Sequence, residues 1–109
     1  MKTDSGREQL KGWLELLVLA ALQKEPTCGY RLRQALIDRS DHVFAPAFGR
    51  LYPMLAQLEQ AGLLKSRKEA SGQRELKVYL ITARGEERLI QLTVKWKHFA
   101  RAMSRIAGT

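Results

Sequence analysis

Residues 47 to 63 read AFGRLYPMLAQLEQAGL, and this stretch leaves the chain few ways to fold. Leu51, Leu55 and Leu58 share one face of a helix at about 100° per residue, and Gly62 stands where such a helix stops. The opposite face holds Gly49, Pro53, Ala56 and Gln60. Proline is tolerated there if the helix begins near Gly49, because the carbonyl its ring would meet then lies at the helix end. Such a helix has two jobs: its leucines pack on a core, and its small residues let the backbone approach something outside.

The flanking sequence supplies the rest of the body. A first helix is expected from about Glu8 to Lys24, with Leu10, Trp13, Leu14, Leu17 and Ala21 at three- and four-residue steps and Leu16 and Leu19 widening the stripe. Glu25-Pro26 ends it. Thr27 reads as the N-cap of a second helix from Cys28 to about Arg39, with Tyr30, Ala35, Leu36 and Ile37 inward and Arg31, Arg33 and Arg39 on or near the other side. Ser40-Asp41-His42 is a polar break, and Val43 to Pro46 a connector docked on the core. After Gly62 come two strand-like runs, Leu63 to Glu69 and Arg74 to Ile81, with Ala70 to Gln73 as the turn of a hairpin carrying Lys65, Arg67, Lys68, Arg74 and Lys77.

Thr82 caps a long last helix from Ala83 to about Ile106. Leu89, Leu92, Trp96, Phe99, Met103 and Ile106 form a heptad seam along it. The seam is too short for an isolated coiled coil, so it implies a partner, most simply a second copy of the chain. The fold expected is mainly α with a small β-hairpin: a winged helix-turn-helix body (residues 1–82, with its N-terminal helix at 8–24) and a C-terminal dimerisation helix (83–109) in one compact unit.

Composition narrows the partner. The 109 residues carry 19 Lys and Arg against 11 Asp and Glu, a formal charge of +8. So small and basic a body calls for an anionic partner, nucleic acid ahead of an acidic membrane surface or protein. The single cysteine, Cys28, excludes an internal disulfide and suits a reducing cytoplasm. The N-terminus has no apolar signal core, and the longest apolar run, Leu16 to Leu22, is too short to cross a bilayer. A cytoplasmic protein without membrane contact is expected. His42 and His98 lie in no metal-ligand spacing, and no nucleophile, phosphate-loop or dinucleotide motif occurs. Neither a catalytic set, a metal nor a cofactor is expected.

In the winged layout the third helix enters a DNA major groove and the hairpin touches an adjacent groove or the backbone. Gly49 would sit close to the groove floor, while Arg50, Tyr52 and Gln57 flank it within reach of phosphates or base edges. Lys68, Gln73 and Arg74 are the contacts expected of the wing, and Arg31 is a weaker backbone contact. The plainer alternative has Gly49 and Pro53 merely marking the start of a helix, Tyr52 packed in the core, and the hairpin a solvated charged ribbon. Trp96 admits two readings as well. Across a two-fold axis its ring packs against its copy and fills the seam, or leaves a slot, walled by Trp13 and Phe99, for a planar aromatic ligand.

Three segments carry a family resemblance: PTCGY (Pro26 to Tyr30), GRLYPMLAQLEQAGL (Gly49 to Leu63) and KVYLITARG (Lys77 to Gly85). Over residues 12 to 106 the chain resembles PadR-type transcriptional regulators. It departs from their pattern at Val78, where tyrosine is usual, at Ile81 in place of leucine, and at Ala47, where serine or proline often stands. The resemblance implies a bacterial repressor that binds a palindromic double-stranded operator as a homodimer, through the last helix and the first. It also implies, by likeness to multidrug-responsive members, that Trp96 stacks on a planar effector at the dimer centre. Three rivals stay open: a winged-helix adaptor that binds protein instead of DNA, a DNA binder without an effector, and a small enzyme.

Overall fold

The computed structural model describes the backbone from Ser5 to Thr109 and side chains from Gly12 onward. In chain order the elements are α1 (Ser5–Lys24), β1 (Thr27–Cys28), α2 (Gly29–Arg39), α3 (Phe48–Gln60), β2 (Leu64–Ser71), β3 (Arg74–Ile81) and α4 (Ala83–Ala107). Four helices and a small antiparallel sheet make the winged body expected from sequence. The first helix begins at Ser5 rather than near Glu8, and the contact expected of Leu10 lies outside the described side chains.

The core explains why α1 is apolar on more than one side. Val18, Leu19 and Leu22 are buried together with Leu32 and Leu36 of α2, Leu51, Leu55 and Leu58 of α3, and Leu64 and Tyr79 of the sheet. Leu89 and Leu92 of α4 join the same cluster. Each such side chain contributes about 1.5–3 kcal/mol by leaving water, so the leucine face of α3 is fixed against the body and its other face is turned outward.

Two local expectations are corrected here. Thr27 is not the cap of α2. Thr27 and Cys28 pair with Tyr79 and Val78 as a short strand on the edge of β3, giving the sheet order β1-β3-β2. The backbone hydrogen bonds of a strand outweigh what a capping hydroxyl offers; Cys28 takes the cap position, and no side chain caps the helix. The wing turn is also tighter than Ala70 to Gln73. The ladder runs on through Ala70↔Glu75 and Ser71↔Arg74, leaving Gly72 and Gln73 as the loop. Only Gly72 of these two has positive φ, at 63°, the pattern of a II′ turn that suits the strand twist.

The C-terminal ends of α3 and the wing meet in a knot of backbone bonds. Leu63 N–H donates to the Leu58 carbonyl (2.9 Å) and Gly62 N–H to that of Glu59 (3.0 Å), a Schellman stop made possible by Gly62 at φ 79°. Thr82 N–H donates to the Leu63 carbonyl (3.1 Å) and its hydroxyl to the Gly62 carbonyl (2.7 Å). The same hydroxyl accepts from Gly85 N–H at 3.0 Å, capping α4. One threonine thereby ties the end of α3 to the start of α4.

The heptad seam of α4 divides. Leu89 and Leu92 are buried in the core of their own chain, so this part of the expected seam is already covered within the protomer. A heptad repeat specifies a face, and here the first part of that face is covered by α1 and the sheet. Further along, Trp96 is 40% exposed, Met103 55% and Ile106 90%.

Candidate nucleic-acid interface

The outward arc of α3 is the one expected from its sequence. Gly49, Arg50, Tyr52, Pro53, Ala56, Gln57 and Gln60 are all exposed. The helix starts at Phe48, one residue before Gly49, so the carbonyl left without the Pro53 N–H is that of Gly49, in the first turn. Open space surrounds Gly49 where a side chain would stand. Ala47 occupies the N-cap position and supplies no side-chain bond, leaving the first N–H groups of α3 without a side-chain acceptor. Arg50 and Gln57 border, with Pro53 and Met54, a groove of about 1290 Å³ that runs across to Trp13, Leu14 and Leu17 of α1 and to the 43–46 connector.

Tyr52 does more than flank the helix. Its ring stacks on Phe48 (centroids 5.6 Å apart, 24° between planes), and Phe48 stacks on Tyr30 (6.2 Å, 16°). Tyr52 also rests on Gly29: a Cβ there would lie 2.6 Å from its Cε1 and 2.8 Å from its hydroxyl oxygen. It is neither buried in the core nor free. Tyr30, assigned from sequence to the inner side of α2, is 67% exposed, because its side chain leaves the body to meet Phe48. Arg33 closes the group, its guanidinium 4.9 Å from the Phe48 ring centre and its Nε donating to the Pro46 carbonyl at 2.7 Å. Sequence reasoning missed Phe48; an aromatic pair four residues apart at a helix start was the available signal.

The wing is less freely basic than its composition implied. Arg67 pairs with Glu69 at 2.6 Å, Lys68 with Glu75 at 3.8 Å and Lys77 with Glu59 at 3.2 Å. Lys65 and Arg74 make no ion pair with another described residue. Arg74 and Gln73 lie exposed at the tip, Lys68 just behind them, and Arg31 is exposed on α2. The long pairing of Lys68 is a surface contact of little energy, so it does not withhold that cation from an anionic partner.

Glu59 joins wing to helix. Its carboxylate accepts from the Ser66 hydroxyl of β2 at 2.6 Å and pairs with Lys77 of β3. The Ser66 hydrogen bond, helped by Lys77 and opposed by partial desolvation, holds the Glu59 carboxyl below its usual range. The hydrogen bond to Glu59 raises the Lys77 ammonium above its own.

At the far end Trp13, Trp96 and Phe99 pack edge-on within one chain, at 5.8 Å for the two tryptophans and 5.9 Å from Trp13 to Phe99. The indole N–H of Trp13 is buried and meets no acceptor among the described residues. Arg88 of α4 clasps Glu15 of α1 with two hydrogen bonds, 2.7 and 3.2 Å. That clasp raises the Arg88 guanidinium above its usual value and fixes α4 against α1. Among the described residues no group of three or more potential ligands gathers at metal-binding distance, and no helix is long and apolar enough to cross a membrane.

Comparison with known proteins agrees with this geometry. The curated proteins include no match to the chain. Among solved structures it is similar to a PadR family transcriptional regulator from Eggerthella lenta, 31% identical over 94% of this chain and 88% of that one, with a TM-score of 0.77. It is similar also to a PadR-like regulator from Bacillus cereus (25% identical, 94% and 98% covered, TM-score 0.79) and to a Streptococcus transcriptional regulator (27%, 90% and 95%, 0.78). The model of the transcriptional regulator PadR-like family matches residues 18–91. That span holds α2, α3, the wing and the first turns of α4, and the chain belongs to the PadR-like family of transcriptional regulators, DNA-binding proteins and not enzymes.

Proposed function

We propose that the chain is a homodimeric repressor in which two copies of α3 read successive major grooves of a palindromic operator. The observation that carries this is the outward arc of α3: Gly49, Pro53 and Ala56 allow close approach, with Arg50 and Gln57 beside them. Arginine pairs with guanine O6 and N7, and glutamine with adenine. Gln73, Arg74 and Lys68 of the wing, with Arg31, supply phosphate contacts that set the register.

Dimerisation is supported by the outer half of α4 and by the groove beside α1. Trp96, Met103 and Ile106 lie exposed in a row, and Trp13, Leu14, Leu17, Val43 and Phe44 line an apolar receptacle for a helix. In this division residues 1–82 read DNA and residues 83–109 hold the dimer, with Trp96, Phe99, Met103 and Trp13 at the seam. A planar aromatic effector enters between the two Trp96 clusters and releases the operator. To do so it must bind one spacing of the reading helices more tightly than the other.

A gel shift and footprint on the DNA flanking the protein's own gene, at two salt concentrations, tests the central claim. Two protected half-sites about 34 Å apart, with log affinity falling by roughly 0.9 per phosphate contact for each tenfold rise in salt, are expected. No shift at low salt favours the adaptor. Sedimentation showing a monomer at micromolar concentration refutes the dimer. Tryptophan fluorescence unmoved by planar cationic and phenolic compounds refutes the effector.

A further inference from the structure

The aromatic row Tyr30–Phe48–Tyr52 is unexplained by the core and is not a seam of α4. It spans the first turns of α2 and α3, beside the end of the reading helix that carries Arg50. We infer that this row is a second DNA-contact element, which packs on the deoxyribose-phosphate strand bordering the groove that α3 enters; it rests on α3 reading duplex DNA as described above.

Three features favour a nucleic-acid backbone over other occupants. The rings are held before any partner arrives: planes 16° and 24° apart, the Arg33 guanidinium over Phe48 and anchored to the Pro46 carbonyl. A contact built in advance costs little ordering on binding. The charge set on the row is positive: the Arg33 guanidinium lies over Phe48, and neither α2 nor α3 has an acidic residue in its first turn. Finally, the chemistry alternates as a sugar-phosphate strand does, with ring faces for deoxyribose carbons and two phenolic hydroxyls that donate to phosphate oxygens. A purely hydrophobic protein partner would leave those hydroxyls unpaired.

A backbone contact made by uncharged groups has its own signature: it acts on every sequence alike and releases no counterions. Three variants separate its parts. Tyr30→Ala removes the outermost ring, Tyr30→Phe removes only its hydroxyl, and Gly29→Ala drives the Tyr52 ring off its seat (2.6 Å to Cε1) without deleting any aromatic group. Tyr30 is exposed, and the atoms that a Cβ on the buried Gly29 would meet are the movable end of the exposed Tyr52 side chain, so all three variants should fold, which a thermal melt verifies. Binding is measured on a duplex from the protein's own promoter and on a random duplex of equal length, over a range of salt. Tyr30→Ala and Gly29→Ala should lower affinity roughly 3–10-fold, the size of one lost hydrogen bond or ring contact, by the same factor on both duplexes and with an unchanged salt slope. Tyr30→Phe should lose part of that factor. Wild-type affinity in folded Tyr30→Ala and Gly29→Ala, while Arg50→Ala loses the promoter duplex, overturns the aromatic contact and leaves the reading helix standing. A loss confined to the promoter duplex overturns it too, since that would be base readout. Retained DNA affinity with a weakened dimer reassigns the row to protein contact. Failure of the unmodified protein to bind either duplex overturns both conclusions.

Discussion

Replacing Gly85 with alanine should unfold this protein far more readily than a one-methyl change elsewhere on α4. The added Cβ would run into the carbonyl oxygen of Leu63, with Ile81 Cγ1 at 2.7 Å and the Leu63 carbonyl carbon at 3.1 Å. Leu63 is backbone, so relief requires moving the first turn of α4 away from the end of α3. That movement loosens the Thr82 N–H bond to Leu63, the Thr82 hydroxyl bond to Gly62 and the cap on Gly85. Overpacking costs about 1–3 kcal/mol, a lost cap about 1 and a lost hydrogen bond about 1. The better helix propensity of alanine returns up to about 1 kcal/mol. The net destabilisation is about 2–4 kcal/mol, which at ~4–8 °C per kcal/mol for a domain of this size lowers Tm by about 8–32 °C.

Circular dichroism melts at a fixed protomer concentration measure it, because an associating protein has a concentration-dependent Tm. Thr82→Ala provides the internal control. It removes the cap and one bond without the clash, and should cost about 1–2 kcal/mol. The double variant should be less destabilised than the two singles added, since both act on one knot. A Tm drop below about 4 °C for Gly85→Ala, or strict additivity with Thr82→Ala, would refute the knot as the joint between α3 and α4.

Other consequences follow from the same geometry. Arg50→Ala should weaken operator binding by about 1–3 kcal/mol if it makes a two-pronged base contact, and equal affinities in a filter-binding titration would remove Arg50 from the readout. Glu59, whose carboxyl is held low chiefly by Ser66, adds stability that is complete above its unfolded pKa near 4.5 and lost as pH falls through the lower folded value. Wild-type stability should therefore drop on acidification below about pH 4.5 more steeply than that of Glu59→Gln, as denaturant midpoints would show. Trp96→Ala removes the pairs with Trp13 and Phe99, costing about 1–3 kcal/mol at 0.5–1.5 per pair. It should also raise the dimer dissociation constant at least tenfold in sedimentation equilibrium; an unchanged constant would place the dimer seam elsewhere.

Much of this architecture was legible in the sequence wherever a residue's neighbours are local. The leucines of α3 and the glycine at its end need only helical periodicity and a left-handed stop, and both appear at the positions expected. Thr82 as the cap of α4 is equally local. The errors arise where a residue answers to a distant partner. Thr27 has the side chain of a cap, but β3 lies beside it and extended pairing wins. Tyr30 counted as apolar until Phe48, eighteen positions on, drew it outward. The paired state of Lys68 and Lys77 depends on the hairpin register and on the approach of α3 to the wing, neither of which composition reveals.

The last helix shows why a heptad pattern alone cannot say which molecule a face will meet, and what an effector at Trp96 would have to do. Upstream of Trp96, α4 is pinned three times: by the Thr82 knot, by Arg88 on Glu15, and by Leu89 and Leu92 in the core. A ligand at Trp96 would therefore act on a helix that is one piece with α3, and in the proposed dimer a change of spacing would have to come from swinging one chain against the other. Bending α4 would instead break the Arg88 clasp and open the core. If the swing separates the two α3 helices, coupling is reciprocal: an operator that loses affinity by some factor in saturating effector must weaken effector binding by the same factor. Titrating the effector by tryptophan fluorescence with and without operator duplex, alongside operator affinity at both effector extremes, yields the two ratios. Equal ratios establish that both ligands are at equilibrium with one coupled system; unchanged amide exchange in α4 then supports the swing, and loss of protection around Leu89 and Leu92 means that the ligand unfolds the chain it binds.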